Sequence, residues 1–177
     1  MNKNRRYWLP FTIGLVSLGL ASCGERSPVA VDEPSRSLVS DVLALRDSVT
    51  GLLSCTPLAA DSITQVIGPA GGTIQVGPHK LTVPAGALDS AVSITAVAPS
   101  GTVNRIVFQP TGLVFGRAVW LTMSYANCNT LGSMLPKRVA YVDDLLTILY
   151  YLRSFDNFSS QTVTARVRHF SDYAVAW

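Results

Sequence analysis

The chain has 177 residues, of which 48% are hydrophobic and only 14% charged, and its formal net charge is +3. Soluble domains carry about 25% charged residues, and the shortfall is local: Met1–Ser22 holds Lys3, Arg5 and Arg6, no acid, and an apolar run from Tyr7 to Ala21 broken by Thr12 and Ser17. Beyond that segment 11 basic and 11 acidic side chains balance, which argues against the clustered basic footprint of a nucleic-acid partner and leaves length for one domain, or a small domain and an arm.

Residues 1–22 have the anatomy of a secretory signal: a cationic start, an apolar middle too short for the roughly 20 residues of a bilayer span, then small residues. Leu20-Ala21-Ser22-Cys23 resembles the bacterial lipobox. The resemblance implies that Cys23 becomes the N-terminus and carries lipid, palmitate among its acyl chains, so that the protein is anchored to a membrane of the cell envelope; two or more chains anchor stably. Gly24 follows the cysteine where an inner-membrane lipoprotein often has aspartate, which favours an outer membrane if the cell has two. With Cys23 lipidated, Cys55 and Cys128 remain. An exported compartment permits a disulfide between them; two reduced, buried thiols are the alternative.

Residues 23–37 are polar and contain Pro28 and Pro34, the composition of a tether. Over 38–57, Leu38, Val42, Leu45, Val49 and Leu52 recur at spacings of four and three, which predicts one amphipathic helix stopped by Thr56-Pro57. From Ile63 onward the period becomes two. Thr73–Val76, Lys80–Val83, Val92–Ala96, Val119–Tyr125, Val139–Val142, Leu145–Leu152, Val163–Val167 and Tyr173–Trp177 read as strands, the Leu145–Leu152 run as a core strand. Turns are expected at Gly71-Gly72, Pro84–Gly86, Pro99–Gly101 and Pro110–Gly112. The expectation is an all-β, antiparallel sandwich over 58–177 behind a single helix.

Gly71-Gly72-Thr73-Ile74 leads to Val83-Pro84-Ala85-Gly86-Ala87-Leu88, and further on stand Pro110-Thr111-Gly112-Leu113, Phe115 and the strand from Ala118 to Leu121. This pattern resembles the ZU5 domain family, which includes bacterial envelope members; the likeness covers about 67–125 and runs on more loosely. The resemblance implies a β-sandwich whose Gly71, Gly72, Pro84, Gly86 and Ala87 serve the fold and not catalysis. Proline ends a strand for want of an N–H, and glycine permits the turn after it. No companion UPA or death domain fits in the remaining length, so the partners of those domains do not carry over.

The same resemblance draws attention to His169-Phe170-Ser171, because His-Phe-Ser is a self-cleavage site in a death-domain adaptor of the ZU5–UPA group and in a nucleoporin domain. There the histidine takes the serine proton and the serine oxygen attacks the preceding carbonyl, chemistry that needs a strained bond and a base within reach. The plainer expectation is a strand in which Val163, Ala165, Val167 and His169 share the core face, with Thr162, Thr164, Arg166, Arg168 and Phe170 opposite. In the last strand, Tyr173, Val175 and Trp177 should face one way and Ala174 and Ala176 the other.

Other patterns are weaker. Tyr141-Val142-Asp143-Asp144 reads as a strand ending in an acidic turn, and Gly68–Gly72 lacks the Gly-Lys-Ser/Thr of a phosphate loop. Two histidines and one leftover cysteine pair are too few for a zinc site. The sequence therefore predicts a lipid-anchored envelope protein acting as a binding or structural module, with no cofactor, no metal and an unnamed protein or envelope partner. The alternative is a module that cleaves itself between Phe170 and Ser171.

Overall fold

The computed structural model describes residues 51–131 and 135–177. Cys23, the signal segment, the tether and residues 38–50 of the expected helix lie outside the described residues. The strands in chain order are β1 (Asp61–Ile67), β2 (Gly72–Val76), β3 (His79–Val83), β4 (Val92–Ala98), β5 (Arg105–Gln109), β6 (Val114–Ser124), β7 (Arg138–Val142), β8 (Ile148–Tyr151), β9 (Ser154–Asn157), β10 (Thr162–His169) and β11 (Asp172–Ala176). They form a six-stranded sheet in the order β1-β4-β5-β11-β7-β8 and a five-stranded sheet in the order β2-β3-β6-β10-β9, with every pairing antiparallel. The protein is a β-sandwich.

Alternation explains the layers. Ile74, Leu81, Leu121 and Ala165 of one sheet meet Ile94, Ile106, Phe108, Tyr173 and Val175 of the other in a single buried core. Successive residues on a strand point to opposite faces, so one apolar row per strand suffices for most of the chain. The middle of the six-stranded sheet is different, because both of its faces are covered. Ala140, Val142, Ala174 and Ala176 join Leu52 in a second apolar cluster on the far side. Hence Tyr173, Ala174, Val175 and Ala176 are all buried, where alternation alone would make every second residue solvent-facing.

The end of the expected helix is extended. The Leu53 N–H donates to the Val175 carbonyl and the Trp177 N–H to the Gly51 carbonyl, both at 3.0 Å, and the Cys55 and Thr56 N–H groups bond Thr102 and Asn127. Pairing of β11 with β5 covers only Asp172–Ala174; Leu52 takes the vacated place beside Ala176. Leu52 lies in the outer cluster and Leu53 in the main core. Neighbouring residues buried on opposite sides suit a strand, not a one-stripe helix. The Cys55–Cys128 disulfide fastens this segment to the loop after β6.

The Leu145–Leu152 run is not a core strand either. The Asp143 carboxylate accepts from the N–H groups of Leu145 (3.0 Å) and Thr147 (2.8 Å), and those bonds, Thr147 foremost, hold it below the usual carboxylate range. The turn takes the front of the run, leaving only β8, which is the sheet's last strand. Leu145 is 87% exposed, Leu149 53% and Tyr150 66%.

The glycine and proline turns support each other. Gly71 has φ +77°, and a Cβ there would strike the Val83 carbonyl oxygen and the Pro84 backbone. Its N–H bonds the Gly68 carbonyl, while the Gly86 N–H bonds the Pro69 carbonyl at 2.8 Å and the Gly116 N–H bonds that of Ala87 at 3.0 Å. Gly72 would meet Ile67 Cδ1 at 2.8 Å if it had a side chain. The Gly-Gly turn thus lies against the Pro-Ala-Gly turn, and buried Ala87 and Leu88 return the chain to the core.

Candidate functional site

The shortness of β9 leaves an open concavity on the five-stranded sheet. Its four residues pair with Thr162–Ala165 of β10; the preceding residues, Leu152 and Arg153, link it to β8 in the other sheet. Arg166 therefore has β6 on one side and no strand on the other. The resulting groove, about 520 Å³, is lined by Trp120 and Arg166, opposite each other on β6 and β10, and by Thr164, Phe155, Tyr150 and Arg153. The Arg166 guanidinium lies 5.1 Å from the Trp120 ring centre. Phe155 is 80% exposed and Trp120 44%, rings left in water on a face that does not need them for the core.

Charge on this sheet is one-sided. Lys80, Arg166 and Arg168 are exposed at outward positions of β3 and β10, and Arg153 is exposed beside them. The strands of the five-stranded sheet contain one carboxylate, Asp156. It alternates with outward-facing Phe155 and turns inward, accepting hydrogen bonds from the Tyr125 hydroxyl at 2.7 Å and the Lys137 N–H at 2.6 Å. Among the described residues, Lys80, Arg153, Arg166 and Arg168 form no ion pair, and Arg105–Asp172, at 3.7 Å, is in the other sheet.

His169, Phe170 and Ser171 do not take their expected places. Alternation holds through Val167, then a register shift between Val167 and His169 breaks it. The bulge turns His169 outward and Phe170 inward, the reverse of the sequence reading, as an extra residue in one strand does. Phe170 stacks on Phe108 with ring centres 4.7 Å apart and meets Phe115 edge-on at 5.0 Å. The Phe170 carbonyl accepts from the Gly112 N–H at 3.1 Å, and the Tyr173 hydroxyl donates to the His169 carbonyl at 2.7 Å. His169 Nδ1 sits 3.4 Å from the Phe170 carbonyl oxygen, and no hydrogen bond joins it to the Ser171 hydroxyl among the described residues. Among the described residues the non-glycine positions with positive φ are Leu146 and Gln161, both outside this triplet.

The other titratable groups with shifted protonation are spent on the fold. His79 is 2% exposed, and its Nδ1 accepts from the Ser124 N–H at 3.1 Å; burial lowers its pKa to about 4. Burial, with the Asp156 carboxylate beside it, raises the Tyr125 phenol, and burial lowers the Lys137 ammonium against the opposing pull of Asp156. Burial likewise raises Asp172, with Arg105 pulling the other way. His79 and His169 stand apart, and no three His, Cys, Asp or Glu gather as metal ligands among the described residues. Cys55 and Cys128 are joined, as the exported-compartment reading expects. Among the described residues no helix is long and apolar enough to cross a membrane.

Reading the sequence for catalytic motifs overlooks the groove, since its side chains are scattered over β6, β8, β9 and β10. Its one local signal is Trp120 at a polar position of an alternating strand, beside a polar segment that contains Phe155. The chain matches no known protein family and no curated protein.

Proposed function

We propose that the chain is a lipid-anchored protein of the cell envelope, more suited to an outer than an inner membrane, whose ZU5-like sandwich is a non-catalytic binding or structural module. The observation that carries this reading is the groove: aromatic rings and guanidinium groups line it, and it holds no nucleophile beside a base. Rings and fixed cations exposed without a structural need are the composition of a recognition surface. The disulfide supports an oxidising, exported compartment. Metabolic labelling with a palmitate analogue tests the anchor. Wild type should take up label and partition with membranes, whereas Cys23→Ser should do neither; an unlabelled wild type overturns the lipoprotein reading.

The self-cleaving reading has one observation in its favour, the Gly112 N–H directed at the Phe170 carbonyl, where an oxyanion would form. Against it stands a histidine facing that carbonyl oxygen instead of the serine hydroxyl. The intact mass should run through Trp177. A fragment beginning at Ser171, lost in Ser171→Ala, would make self-processing the leading function.

A further inference from the structure

We infer that the groove and outer face of the five-stranded sheet bind an acidic glycan, a polysaccharide chain bearing carboxylates, a proposal that rests on the envelope-module reading above. Three properties select this chemistry. The first is charge complementarity. Lys80, Arg153, Arg166 and Arg168 face or flank the surface and form no ion pair among the described residues, and the one carboxylate of the sheet's strands is turned away and occupied. Guanidinium groups match carboxylates in a planar, bidentate geometry. Arg166 and Arg168 are two residues apart on one strand, about 7 Å, which offers repeated contacts to a ligand with repeated charges.

The second property is the set of rings. Tyr150 is 66% exposed and Phe155 80%, and both line the same groove as Trp120. Aromatic faces pack against the C–H faces of sugar rings, burying apolar area that a simple anion lacks. Thr122 and Thr164 hydroxyls, 2.9 Å apart beside the groove, add neutral hydrogen-bonding groups suited to sugar hydroxyls. The third is shape. The groove is open, as a polymer requires, and it is concave. The Arg166 guanidinium covers the Trp120 ring within the concavity, so ring and cation are presented together to one ligand. Single-stranded nucleic acid would also suit rings and cations, but an exported protein does not ordinarily meet it.

Binding of the full chain in nonionic detergent can be measured by calorimetry, with decagalacturonate, a neutral maltodextrin of equal length, dT10 and a short-chain phosphatidylglycerol below its micelle concentration as probes. Decagalacturonate should bind at least about tenfold more tightly than each of the others, with affinity falling as salt rises. Arg153→Ala/Arg166→Ala should raise its Kd about tenfold and Trp120→Ala about fivefold, consistent with loss of one or two principal contacts. All three positions are exposed, so near-unchanged thermal unfolding should confirm folded variants, and Arg138→Ala, on the other sheet, should leave Kd within about twofold. Equal binding of the neutral chain, or an unchanged Kd in the double variant, overturns the proposal. Tighter binding of phosphatidylglycerol replaces it with a membrane-facing surface and leaves the envelope reading standing. Tighter binding of dT10 overturns the glycan proposal, whereas the envelope reading stands or falls separately on lipid labelling at Cys23.

Discussion

His79 shows how one buried side chain sets a pH limit on the fold. Its pKa is about 4 in the folded protein against 6.5 for the free side chain, so between those values the unfolded chain binds the extra proton. Stability is therefore full above about pH 6.5 and falls as pH drops through the folded pKa, by about 3 kcal/mol in all. Urea unfolding at pH 7, 5.5 and 4 should show that loss, and His79→Asn, which keeps an acceptor for the Ser124 N–H, should flatten it. An equally steep decline in the variant would assign the effect to other groups. Glycines offer a second single-residue contrast. Gly71 and Gly112 both have φ near +77°, but only Gly71 faces backbone where a Cβ would go, while nothing lies within 4 Å of that position at Gly112. Gly112→Ala should thus cost about 1 kcal/mol for the backbone conformation alone, and Gly71→Ala about 3 kcal/mol or more. Equal costs in a denaturation series would deny that the two turns are interlocked.

Elements were legible where one apolar row alternates with one polar row, and illegible where local side-chain bonds or neighbouring strands changed the rule. β2, β3, β4, β7 and β10 fall within a residue or two of their expected positions. In β1 the inward row is Ile63, Gln65 and Ile67 while Val66 is exposed, so apolar and polar residues do not alternate cleanly; β9 is four residues with one exposed ring. The bulge in β10 carries no composition signal, which is why His169 and Phe170 were assigned to the wrong faces. At the end of the expected helix, over 51–57, spacing and sheet disagree: Leu52 and Leu53 are claimed by two different clusters of a sheet. That segment also carries a testable cross-link. Cys55 and Cys128 are 73 residues apart, a loop whose closure restricts the unfolded chain by about 4 kcal/mol. Cys55→Ser/Cys128→Ser should lose stability of that order in urea at pH 7. A loss below about 1 kcal/mol would mean that the backbone bonds of Gly51–Thr56 hold the segment without it.

At the scale of the molecule, sheet order is the property furthest from the sequence, because alternation gives a strand its face but not its neighbours. The last strand in the chain is an inner strand in space: β11 pairs with β5 on one side and with β7 on the other. The candidate groove was hidden for the same reason: Tyr150, Phe155 and Arg166 are near one another in the chain, but only the pairing of β10 with β6 brings Trp120 beside them. The position of β11 decides what cleavage after Phe170 would do. Tyr173 and Val175 fill the main core, and Ala174 and Ala176 the outer cluster. Burial of Tyr173 and Val175 contributes about 2 kcal/mol each, and removing β11 also strips backbone partners from both neighbours. Domain stabilities are only about 5–15 kcal/mol. A chain ending at Phe170 should therefore fail to fold, giving collapsed amide dispersion by NMR, whereas a chain cut after Phe170 but still holding Ser171–Trp177 should keep its dispersion. Adding a synthetic Ser171–Trp177 peptide to the truncated chain during refolding should restore part of it. A truncated chain that folds unaided would show that β5 and β7 can close over the gap, and would remove β11 as the strand that holds the six-stranded sheet together.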